Sequence, residues 1–77
     1  MVENIKDNKE IYSKSFLNKH SYAISYIDKN NEKKWIHLEN DDVAFQSFNF
    51  LIKKGFKNIT LHTANIKNLC YDKIMIA

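Results

Sequence analysis

Seventy-seven residues leave room for one small domain and not for a cofactor domain beside a substrate domain. With 44% hydrophobic and 27% charged residues the chain has the composition of an ordinary folded globular protein, and its single cysteine excludes a disulfide scaffold. The formal charge of +3 comes from lysine alone against nine carboxylates, and the absence of arginine argues against base-specific reading of duplex DNA, in which arginine supplies the commonest bidentate contact to guanine.

The opening stretch, Met1 to Asp7, is polar and lacks the apolar segment of a signal peptide. No apolar run approaches the length of a membrane span, and no lipidation motif is present. A reducing cytoplasmic location without membrane contact is therefore expected. Residues 1–10 read as a frayed lead-in, and residues 11–77 as a single domain.

Ile11 to Leu17 combines aromatic, β-branched and serine residues, which suggests a first extended segment. From Ser21 to Ile27 the chain alternates, with Tyr22, Ile24 and Tyr26 on one side and Ala23, Ser25 and Ile27 on the other. Lys34 to Glu39 alternates again, with Trp35, His37 and Glu39 opposed to Lys34, Ile36 and Leu38. Asparagine tolerates positive φ, so Asn30-Asn31 fits a two-residue type I′ turn between these strands. That turn places Tyr26 opposite Trp35, Ile24 opposite His37, Ser25 opposite Ile36 and Ala23 opposite Leu38.

Asn40-Asp41-Asp42 offers capping oxygens and negative charge for a helix from about Asp42 to Lys54. Ala44, Phe45, Phe48, Leu51 and Ile52 form its apolar stripe. Lys53 and Lys54 complement its carboxyl end, and Gly55, the only glycine, stands where a left-handed residue ends a helix. Asn58 to Thr63 is a further strand, with Ile59 and Leu61 inward and Thr60 and His62 outward. Leu69 to Ile76 is a last strand or a packed tail. The expected fold class is α+β: a small antiparallel sheet, with elements in the order β-β-β-α-β-β, and one amphipathic helix packed on one face.

A single helix covers one sheet face. On the expected register, the small and aliphatic set Ala23, Ser25, Ile27, Ile36 and Leu38 lies under the helix and Tyr22, Ile24, Tyr26, Trp35 and His37 face outward, an aromatic surface of the kind that binds partners. The competing assignment has the N-terminal segment, with Tyr12 and Phe16, or the C-terminal tail closing over those rings. Phe50 lies opposite the helix stripe and is a second candidate anchor.

Catalytic and metal chemistry find little support. His20, His37, His62 and Cys70 match no metal-ligand spacing. Cys70 has no nearby feature that would lower its pKa, and Asp41-Asp42 is better explained as a cap than as an acid–base pair. No metal, cofactor or small-molecule substrate is expected. The expected function is that of a non-catalytic protein-interaction module with partner-binding residues Tyr22, Tyr26, Trp35, His37 and Phe50, its partner being a host factor or a second copy of itself. In size and in Asn/Ile/Lys-rich composition the chain resembles phage or mobile-element accessory proteins, and that resemblance implies inhibition of a host factor such as a CRISPR-type defence nuclease. The alternative is single-stranded nucleic-acid binding, in which Lys29, Lys33, Lys34, Lys53, Lys54 and Lys57 flank the aromatic face.

Overall fold

A computed structural model describes residues 11–77; the lead-in expected over residues 1–10 lies outside the described residues. The elements are α1 (Lys14–Lys19), β1 (Tyr22–Ile27), β2 (Lys33–Leu38), α2 (Asp41–Lys54), β3 (Lys57–Asn65) and β4 (Cys70–Ile76). The strands form one antiparallel sheet in the order β2-β1-β3-β4. Since β1 is antiparallel to both neighbours, β2 and β3 run parallel on either side of it, and α2 is the crossover that parallel strands require. The α+β class and the helix packed on one sheet face are as the sequence predicts.

The expected first strand is instead α1. Ser13 caps it, its hydroxyl accepting from the Phe16 amide at 3.1 Å, and Leu17 is fully buried beneath it. The aromatic and β-branched content of this segment is a weak strand signal; a serine positioned to cap and one apolar side chain with a place to pack outweigh it.

The β1–β2 register is one residue away from the expected one. Ser25 faces Trp35, Ala23 faces His37, and Ile24 faces Ile36. The cause lies in the turn. The loop has three residues, Lys29, Asn30 and Asn31, closed by the Asp28 amide donating to the Glu32 carbonyl at 2.9 Å. Asn31 takes a left-handed conformation, φ 65°, as the third residue of such loops does. One Asp28 carboxylate oxygen accepts from the amides of both Asn30 and Glu32 at 2.9 Å. Aspartate thus organises a loop that the two asparagines alone would make shorter.

A one-residue slip reverses every side chain of one strand. Ile36 and Leu38 therefore join Tyr22, Ile24 and Tyr26 on the α2 side, and Trp35 and His37 join Ala23 and Ser25 on the other. The main core consists of Ile24, Leu38, Ala44, Phe48, Leu51, Ile59 and Leu61, edged by Tyr22, Tyr26, Ile36 and Phe56.

Helix α2 starts and ends as its sequence dictates. The Asn40 side chain accepts from the Val43 amide at 3.0 Å. Gly55 sits at φ 81°, and the amides of Gly55 and Phe56 reach back to carbonyls of the last turn. Phe45 and Ile52, expected in the core, are 42% and 44% exposed. A helix about 10–12 Å across spans roughly two strands of a sheet spaced at ~4.8 Å. Helix α2 packs chiefly on β3 and β1, so the flanks of its apolar stripe overhang. The central strands are covered from both sides: Ala23, Ile24 and Ser25 are buried in succession, as are Ile59 to His62. Thr60 and His62 face away from α2, as expected, but are not solvent-exposed.

Candidate functional site

The face opposite α2 has two halves. Over one of them lies α1. The His37 ring is enclosed by Phe16 at 5.2 Å, Tyr71 at 5.6 Å and Tyr12 at 6.0 Å between ring centres. Tyr71 locks this cover in place by donating its hydroxyl to the His20 carbonyl at 2.6 Å, and burial raises its pKa above the usual tyrosine value. The Tyr12 amide donates to the Leu69 carbonyl at 2.9 Å. For His37 the competing assignment holds: the N-terminal segment closes over it.

The other half is open at Trp35, which is 42% exposed. Its indole rests on the His62 ring at 4.7 Å, with Lys33 Nζ 5.6 Å from the indole centre. His62 in turn shares a hydrogen bond with Ser25, Nε2 to Oγ at 3.0 Å, across the β1–β3 seam. Burial pushes the His62 pKa down to about 4, helped by the nearby charges of Lys33 and Lys73. This neutral imidazole beside a serine hydroxyl has the ingredients of a nucleophile pair. Both residues are sealed, however, at 2% and 5% exposure, and a nucleophile that substrate cannot reach does no chemistry. The pair is a polar seam inside the sheet. Among the described residues no three His, Cys, Asp or Glu side chains gather as metal ligands would.

On the α2 side, Tyr22 and Tyr26 are half-buried against the core, with the Tyr26 ring tilted against Phe56 at 5.0 Å between ring centres. The expected single aromatic face is therefore divided: Tyr22 and Tyr26 lie under α2, while Trp35 and His37 lie on the opposite side of the sheet. Phe50 projects from α2 at 57% exposure, with Lys54 Nζ 5.3 Å from its ring.

Sequence reasoning missed the most apolar edge. β4 closes one side of the sheet and exposes Ile74, Met75 and Ile76 in succession, at 49%, 42% and 67%. The register between β3 and β4 shifts so that Lys73 faces His62 and Met75 faces Leu61, leaving Ile74 without an opposite residue. That bulge, together with Asp72-Lys73, breaks the alternation by which a strand is recognised. A signal existed nonetheless, in four apolar residues running from Ile74 to Ala77.

The six candidate lysines do come together. Lys29 lies in the β1–β2 loop, Lys33 and Lys34 open β2, Lys53 and Lys54 close α2, and Lys57 opens β3. Ile27 pairs with Lys33 on one side and Lys57 on the other, and Lys29, Gly55 and Lys57 line one dent. All six thus occupy one end of the fold. Lys34 is engaged there, 3.3 Å from Glu32 and 3.9 Å from Asp28. No protein-family model, curated protein or solved structure matches this chain.

Proposed function

We propose that this chain is a non-catalytic protein-interaction module that engages its partner through the β4 edge. The supporting observation is the run Ile74-Met75-Ile76, three large apolar side chains exposed in succession on a terminal strand of the sheet. A sheet edge offers backbone donors and acceptors for an added strand, and side chains on alternate positions supply specificity. The Ala77 amide bonds inward to the Ile59 carbonyl, so by alternation the Ile76 amide points outward to the open edge. The opposite edge, β2, begins with Lys33 and Lys34, and lysine on an edge discourages strand addition. Phe45, Ile52 and Phe50 add exposed apolar area on α2. The resemblance in size and composition to phage or mobile-element accessory proteins makes a host factor the partner, with inhibition as the effect.

The test is to identify partners retained from cytosol by the immobilised chain and to repeat binding with the purified partner. Met75→Lys with Ile76→Lys should weaken that binding at least about tenfold, the loss expected from disturbing an interface centre, while the melting temperature stays near wild type. Equal retention by wild type and the charged variant would exclude the β4 edge.

A further inference from the structure

A second surface is built from other residues. Among the described residues, only Asp28 and Glu32 oppose Lys29, Lys33, Lys34, Lys53, Lys54 and Lys57 at the lysine end. The remaining lysines among the described residues, Lys14, Lys19, Lys67 and Lys73, are matched in number by Glu39, Asp41, Asp42 and Asp72. The whole excess of positive charge on the described residues therefore sits at one end. Among these residues, Lys34 is the only lysine of the six held by a carboxylate.

Trp35 stands at the rim of this end. It follows Lys33 and Lys34 on β2 and faces away from α2. Its indole is supported by His62 beneath and remains 42% exposed. Lys33 approaches that ring at 5.6 Å, and Lys57 lies two strands away in the same row, opposite Ile27. Two strand spacings are roughly 10 Å, a distance that flexible lysine side chains can adjust to phosphates along an extended strand.

We propose that Trp35 and the lysine end around it form a contact site for single-stranded nucleic acid. One base stacks on the indole, and Lys33, Lys29 and Lys57 take neighbouring phosphates. A duplex hides its ring faces inside the stack, whereas a single strand presents them, and stacking on an aromatic platform flanked by cations tolerates any base. The chain has no arginine for reading base edges, so affinity comes from stacking and charge and carries little sequence preference. These residues are distinct from the β4 surface, and either site stands if the other fails.

Trp35 is the sole tryptophan, so its emission reports this site alone. The full chain is titrated against labelled oligo(dT) and oligo(U) of about twelve nucleotides, within the range of single-strand site sizes. The expected result is saturable binding with matching Trp35 quenching, and a slope of log affinity against log salt of about −2, for three neutralised phosphates. Lys33→Glu with Lys57→Glu should lower affinity at least about tenfold at low salt, and Lys14→Glu with Lys67→Glu should leave it within about twofold. If the first variant melts early, the quenching and salt slope of the wild type still decide. Failure to bind overturns the proposal. So does binding without quenching, equal affinity for duplex DNA or heparin, or a preference for anionic vesicles.

Discussion

Acid should weaken this fold through His62. The imidazole is buried at the β1–β3 seam, bonded to Ser25, roofed by Trp35 and flanked by Lys33 and Lys73. Its pKa is about 4 in the folded protein against 6.5 for a free histidine. At ~1.4 kcal/mol per unit, that gap amounts to roughly 3 kcal/mol. The unfolded chain takes up the proton more readily, so the stability is fully present above pH 6.5, declines as pH falls towards about 4, and levels off below. A chain of this length is held by on the order of 4–11 kcal/mol in total, so the loss is a large share of it. Urea denaturation of wild type and His62→Gln at pH 7, 5.5 and 4 measures the effect. Glutamine keeps a polar partner for Ser25 but cannot titrate, so the difference between the two proteins isolates His62 from the carboxylates. The wild type should lose about 3 kcal/mol more than the variant across that range. Parallel losses in the two proteins, or an NMR titration placing His62 near 6.5, would refute the reasoning.

Three further outcomes are expected. Leu17→Ala should cost about 2–5 kcal/mol, as a fully buried leucine does, and should increase hydrogen exchange around α1 more than around α2. Asp28→Ala removes the acceptor of two loop amides and should lower stability by about 1–3 kcal/mol, read from thermal melts; a change of less than a few tenths would mean that the asparagines set the loop unaided. Gly55→Ala forces a β-carbon into φ 81° with nothing within 4 Å to stabilise it, and should cost about 1 kcal/mol by urea denaturation while leaving the core intact.

Legibility followed how local each determinant was. Both ends of α2 were readable because capping chemistry acts within a turn: Asn40 bonds three residues ahead and Gly55 supplies its own conformation. The strands around Ile24 and Leu61 were readable from alternation and burial. The register between β1 and β2 was not, because it turned on whether one aspartate side chain would gather two amides and lengthen the loop by a residue. That single bond pattern decided which aromatic rings face α2. The site suffered most. Trp35 retained its exposure, but its supposed neighbours Tyr22 and Tyr26 went to the other face, and His37 was roofed by a segment whose helical turn depends on a serine cap and on a place for Leu17 to pack. The gathering of the six lysines depended on topology: Lys29, Lys33 and Lys34 are distant in the chain from Lys53, Lys54 and Lys57, and the two groups meet only because β2 and β3 run parallel with α2 returning between them.

The β1–β3 pairing has a kinetic consequence. Each hairpin closes over a short loop, whereas Ser25 and His62, which meet at the seam, are 37 residues apart in the chain. Local closure is entropically cheap and fast, and joining distant segments is slow. The two hairpins should form early as separate units, and their docking, with α2 settling over the join, should limit the rate at which the protein becomes native. A chain still emerging from the ribosome would hold β1 with only one of its two neighbours until β3 is made.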